Sequence, residues 1–127
     1  MKIYSYKDLI AWQKAILLTK EVYKITRALP ESEKFNLISQ INRSVVSVPS
    51  NIAEGWGRES KNSYVNFLKI ARGSLYELET QLIIVKELNF CSEEILHPLF
   101  ELIIEEIKIL NGLIKSIIIT TNKSSNF

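Results

Sequence analysis

The sequence predicts an all-α fold, an antiparallel up-down-up-down four-helix bundle, and three observations carry that prediction. Apolar residues recur three or four positions apart through four long segments. The segments match in length, about 22–28 residues or ~33–42 Å each at the helical rise. Short connections marked by Pro, Gly or Asn separate them, which makes sequential helices antiparallel neighbours. With only four glycines and three prolines in 127 residues, a turn-rich β architecture has too few breakers.

The first helix opens at a capping box, Ser5 with Asp8, and runs to about Ala28. Leu9, Trp12, Ile16 and Tyr23, with the offset row Leu18, Val22 and Ile25, face inward. Leu29-Pro30 breaks it. Pro30 suits the entry of the second helix, whose positive N-terminal end favours Glu31 and Glu33. This helix stops at Gly55-Trp56-Gly57. Pro49 lies inside it, removes one backbone N–H and costs roughly 3 kcal/mol in an undisturbed helix. A kink at Val45–Pro49 is expected, with Ser47 or Ser50 serving the freed carbonyls; a break into two short helices is the alternative. Ser60 or Asn62 caps the third helix, which ends near Asn89 and carries Val65, Leu68, Leu75, Leu78, Leu82 and Val85 at helical spacing. Gly73 in its middle costs about 1 kcal/mol relative to alanine, so a close helix approach is expected there. Ser92 with Glu93 and Glu94 starts the fourth helix, expected to run to about Ile119. Its core set is Leu96, Leu99, Ile103, Ile107, Leu110, Ile114 and Ile117. Ile104, Ile109, Leu113 and Ile118 are left over, a wide apolar arc that points to self-association.

One domain over residues 1–119 and a flexible polar tail over 120–127 follow from this layout. Hydrophobic residues make up 46% and charged residues 24%, ordinary for a globular protein. No run reaches the ~18 apolar residues of a membrane span, and the start lacks a secretion-signal pattern. The single cysteine, Cys91, allows no internal disulfide, and a reducing cytoplasm is the expected setting. Net charge is +2, unevenly spread: residues 1–57 hold eight Lys/Arg against five Asp/Glu, residues 90–127 three against five.

Catalytic chemistry lacks a constellation. His97 is the only histidine, and Cys91 near it has no third group or oxyanion cradle. A di-metal bundle centre needs two Glu-x-x-His pairs, and only Glu94–His97 exists. No phosphate-binding or dinucleotide glycine loop occurs. No enzyme activity, metal or cofactor is expected.

The strongest pattern is the second helix's polar stripe: Gln40, Arg43, Ser47, Asn51 and Glu54 fall three or four apart among Ile41, Val45, Val46, Val48 and Ile52. The third helix offers mates in Lys69, Arg72, Ser74, Glu77 and Gln81. An Arg43–Glu77 or Arg72–Glu54 pair would bury such groups and fix helix register. The sequence leaves open whether the stripe faces core, interface or channel. Basic residues Lys14, Lys20, Lys24, Arg27, Lys34, Arg58, Lys61 and Lys69 could bind phosphate if repeated in an oligomer, with Tyr64 and Trp56 stacking on bases. Lys14, Lys24, Arg58 and Lys61 are the chosen phosphate contacts.

Lys7-Asp8-Leu9-x-x-Trp12-Gln13-Lys14-Ala15, Leu29-Pro30 and Gln40-x-x-Arg43 are followed by Ser47-x-Pro49-x-Asn51-Ile52-Ala53-Glu54-Gly55. Then come Phe67-Leu68-x-Ile70-Ala71-x-Gly73-Ser74 and Glu77-x-Glu79. Together these resemble the bacterial four-helix-bundle family of proteins encoded in intervening sequences of 23S ribosomal RNA genes, over about residues 5–118. The resemblance implies a homopentameric ring of bundles without known catalytic activity or cofactor. A related branch, accessory proteins of diversity-generating retroelements, forms a basic pentameric barrel that binds nucleic acid and a reverse transcriptase. Members of that branch are strongly basic; this chain is close to neutral. The expected function is therefore a non-enzymatic homo-oligomeric bundle, nucleic-acid-associated (RNA or DNA) or a scaffold. The alternative is a protein-interaction adaptor that binds no nucleic acid.

Overall fold

The computed structural model describes residues 2–125 of the chain, with side chains to residue 120. Four helices fill it: α1 (Ile10–Thr26), α2 (Leu37–Trp56), α3 (Lys61–Glu87) and α4 (Glu93–Ser125). Contacts run α1–α2, α2–α3, α3–α4 and α4–α1, so the four close into one bundle. Their register follows from side-chain contacts. Ser44 meets Glu77 and Ser47 meets Ser74, whereas Lys86 meets Glu93 and Arg72 meets Asn111. As one number rises the other falls, so α2–α3 and α3–α4 run in opposite directions.

The helix ends follow their local chemistry, with three departures from expectation. The Ser5–Asp8 capping box forms, but it closes a single 3-10 turn, Tyr6–Asp8. Leu9 is extended (ψ 128°), which separates that turn from α1. Glu31–Glu33 likewise make an isolated 3-10 turn behind Pro30. α2 starts only at Leu37, because Asn36 leaves helical geometry at φ −124°, ψ −97°. Ser60 caps α3 by accepting from the Ser63 N–H at 3.2 Å, and Ser92 accepts from Ile95 N–H at the start of α4. α3 ends where Asn89 turns left-handed (φ 59°), a conformation that asparagine tolerates at a helix C-terminus. α4 continues through Ser125, past the expected end at Ile119; Asn126 and Phe127 of the expected tail lie outside the described residues.

Pro49 is buried within α2, which is one helix from Leu37 to Trp56. The expected help from serine is not given: the Ser47 hydroxyl is engaged by Ser74 and Asn51, and Ser50 is exposed.

The core keeps the expected Leu18 and Val22 of α1 and Leu96, Leu99, Ile103, Leu110 and Ile114 of α4, and corrects single positions on both helices. On α1 the buried row is Ala11, Ala15, Leu18 and Val22, while Trp12, Ile16, Tyr23 and Ile25 sit at its margin. The alanines face inward because α1 lies close to its neighbours, which leaves the bulkier side chains to cover the seams. On α4 the buried row is Leu96, Leu99, Ile103, Glu106, Leu110 and Ile114. Glu106, 1% exposed, takes the place expected of Ile107. Gly73 has no close helix neighbour: a Cβ added there meets nothing within 4 Å. Gly55 is the glycine that permits close approach, since its added Cβ would lie 2.8 Å from Phe67 Cβ.

Candidate functional site

The polar stripe of α2 divides among three surroundings. Facing α3, the Ser47 and Ser74 hydroxyls lie 2.7 Å apart, and Asn51 Nδ2 donates to both the carbonyl and the hydroxyl of Ser47. Ser74 also donates to the Ile70 carbonyl at 3.1 Å, so both hydroxyls of this part-buried link are bonded. Ser44, absent from the expected stripe, donates to Glu77 at 3.3 Å. Outside the link, Gln40 donates to Asn36 within the first turn, and Arg43 is exposed. The expected Arg43–Glu77 and Arg72–Glu54 pairs do not form. Glu54 holds Arg58 at 2.6 Å one turn away, and Arg72 crosses instead to Asn111 of α4 at 2.8 Å. Long charged chains find partners at the rim, whereas short hydroxyls and one amide fit between the helices. Removing Ser74 with Ser74→Ala takes one part-buried hydrogen bond from Ser47 and one from the Ile70 carbonyl and is expected to cost ~1 kcal/mol in urea unfolding.

The four chosen phosphate contacts are not one patch. Lys14 lies in the N-terminal third of α1, paired with Glu105 of α4 at 3.0 Å. Lys24 stands near the C-terminal end of α1, while Arg58 and Lys61 flank the α2–α3 turn at the opposite end of the bundle. Lys24 holds Glu21 on its own helix, and Arg58, just past α2, holds Glu54 of that helix. Nor are the two aromatic residues free to stack. Trp56 and Tyr64 meet edge to face at 6.3 Å and pack against the core. Burial pushes the Tyr64 hydroxyl above its ordinary pKa, and its oxygen has no hydrogen-bond partner.

A different cationic group does assemble. Lys20, Lys24 and Arg27 line a groove of about 420 Å³ between α1 and α2, with Tyr23, Thr19 and Val46. Their spacing of four and three residues puts the three cations on one side of α1, a signal present in the sequence. Lys24 is shared with Glu21 at 3.0 Å; Lys20 and Arg27 are exposed.

On another face of the bundle, α3 presents an open seam. Ile70, Tyr76, Ile83 and Ile84 are 41–50% exposed around Gly73 and Thr80. A shallow depression of about 730 Å³ lies over this face and reaches Gln40 on α2. At its edge Gln81, 7% exposed, keeps an unpartnered amide oxygen. Elsewhere His97 pairs with Glu101 at 2.8 Å on the surface, and Cys91 is half-buried against the core. Lys86 is held above its ordinary pKa by its hydrogen bond to Glu93. Among the described residues no cluster of three or more His, Cys, Asp or Glu could hold a metal ion, and no helix is long and apolar enough to cross a membrane.

An all-α four-helix bundle with a hydroxyl link in its α2–α3 seam is thus the class of protein. The chain belongs to the 23S rRNA-intervening sequence protein family, whose model matches residues 7–112. Its fold is similar to the crystal structure of a protein of unknown function from the S23 ribosomal protein family of Bacteroides thetaiotaomicron VPI-5482. That likeness has a TM-score of 0.78 at 24% identity and covers 84% of this chain and 99% of the other. No curated protein matches the chain.

Proposed function

We propose that this chain is a non-enzymatic, self-associating helical bundle of the reducing cytoplasm whose α1–α2 groove holds the phosphate backbone of RNA or DNA. The observation that carries this reading is the convergence of Lys20, Lys24 and Arg27 on one groove beside Tyr23. Three cations on a rigid helix suit a phosphate chain, but one such set binds weakly against the counterions that nucleic acid already carries. Repetition around an oligomer, five copies in the family resemblance, multiplies the contacts and raises avidity without new chemistry. The exposed α3 seam supports the self-association half of the reading, since its isoleucines and Tyr76 form one apolar face that gains by leaving water.

The test is a charge reversal, Lys20→Glu/Lys24→Glu/Arg27→Glu, measured by fluorescence anisotropy with labelled single- and double-stranded RNA and DNA over a salt series. The wild type is expected to bind with a steep salt dependence. The variant is expected to lose at least ~100-fold in affinity and about two to three in log–log salt slope per engaged copy. Equal binding by both proteins, or binding that ignores salt, rejects the groove. Should neither bind, the adaptor reading takes its place, favoured by the same α3 seam acting on another protein.

A further inference from the structure

The least expected group in the molecule is a carboxyl in the bundle core. Glu106 sits on the buried row of α4 between Ile103 and Leu110 and is 1% exposed. Neither of its carboxylate oxygens has a hydrogen-bond partner. An ionised carboxylate in that position loses its water and receives nothing in return, so the neutral acid is the form that fits.

The surroundings leave little to compensate a charge. One turn to either side on α4 lie Leu102, Ile103, Ile109 and Leu110. α1 supplies Lys14, already paired with Glu105, and farther along Glu21, tied to Lys24. α3 supplies Arg72, bonded to Asn111, and Glu79 two turns along the same helix face. α2 turns Ile41, Val45, Val48 and Ile52 to the core, none of them ionisable. Burial, with some help from the adjacent Glu105 charge and against the pull of Lys14, pushes the Glu106 carboxyl up to about 8.

We propose that Glu106 is a proton-operated latch, which seats α4 against α1 when neutral and loosens that seam when it ionises. The α1–α4 contact is the natural point of release, because it is the lightest of the four helix–helix seams. It is also bridged by the half-exposed Lys14–Glu105 pair beside the carboxyl. The sign follows from linkage. In the unfolded chain the carboxyl titrates near its ordinary 4.5; in the bundle it holds its proton to about 8. Between these values folding takes up a proton, so the folding equilibrium weakens by up to ~10-fold for each pH unit gained. Below this window the carboxyl is neutral in both states, and above it the loss levels off.

The experiment is urea unfolding of the full chain from pH 5 to pH 9, at fixed protein concentration, for the wild type, Glu106→Gln and Glu106→Leu. The wild type is expected to lose ~10²- to 10³-fold in folding equilibrium relative to both variants across the window, with the steepest fall between pH 5.5 and 8. Parallel pH profiles for wild type and Glu106→Gln overturn the proposal. Two further measurements need only the wild type and stand if a variant fails to fold. Carbon-13 NMR of the glutamate carboxyls should find one group titrating far above the others; all of them titrating near 4–5 rejects the latch. Hydrogen-exchange protection should fall first in α4 and α1 as pH rises through 8. A uniform fall across all four helices overturns the placement of the release at the α1–α4 seam.

Discussion

Replacing Gly55 with valine is expected to unfold the bundle or cost it ~4 kcal/mol or more, among the largest effects a single substitution can have. α2 and α3 approach closely near their shared turn, where Gly55 lies against Tyr64 and Phe67. A Cβ there would lie 2.8 Å from Phe67 Cβ, 3.0 Å from Tyr64 Cδ1 and 3.2 Å from the Tyr64 carbonyl oxygen. Two of those atoms belong to or adjoin the α3 backbone, so no side-chain rotation relieves the clash and the helices must separate. Separation strips the end of the bundle of its aromatic cluster, in which Tyr64 meets Trp56 and the Arg58 guanidinium lies 4.8 Å over the Phe67 ring. Gly55→Ala is the milder step. Overpacking of ~1–3 kcal/mol is partly offset by the ~1 kcal/mol that alanine gains over glycine in a helix. Gly73→Ala is the comparison within one chain, because a Cβ there meets nothing of its own chain within 4 Å. It should stabilise by up to ~1 kcal/mol. Urea unfolding at one fixed protein concentration checks the series. If Gly55→Ala stabilises as Gly73→Ala does, the close α2–α3 approach is wrong.

The two glycines illustrate what can be read along a chain and what cannot. Periodicity identifies a helix and its general inward face, which is why four helices and their serine caps were legible. It does not tell which of two glycines meets a neighbour, because that depends on where two axes cross. Single core positions suffer in the same way. On α1, Leu18 and Val22 are buried as expected, but alanines count little in a pattern built on large side chains, so periodicity does not pick out Ala11 and Ala15 ahead of Trp12, Ile16 and Tyr23. On α4 a glutamate at the core position was passed over for Ile107, although Ile103 and Leu110 stand one turn away on each side of Glu106. Charge misled once more in the α2 stripe. Arg43, Arg72, Glu54 and Glu77 were expected to pair across helices, but the close seam is bridged by serines, which are short enough to fit. The cationic groove, by contrast, was within reach of the sequence, since Lys20, Lys24 and Arg27 share one side of α1.

The second large effect separates folding from assembly on a single helix. Leu75 has no exposed surface, and Leu75→Ala should cost ~2–5 kcal/mol through lost burial and the cavity left behind. Ile84, on the same helix, is 41% exposed and points away from that core. Ile84→Asp removes little packing within one chain, so its folding cost should stay near ~1 kcal/mol or below. If copies meet at the α3 seam, however, the new carboxylate must be buried between apolar side chains of two chains, and association should fail. Light scattering at matched concentration should then find a smaller particle for Ile84→Asp, while far-UV circular dichroism keeps its helical signal. Nucleic-acid affinity should fall along with particle size, even though Ile84 does not line the groove of Lys20, Lys24 and Arg27, because one copy contributes one weak groove. An Ile84→Asp protein of unchanged mass rules out the α3 seam as the assembly face. Lower mass with undiminished binding breaks the link between ring and groove, and leaves the groove to act alone.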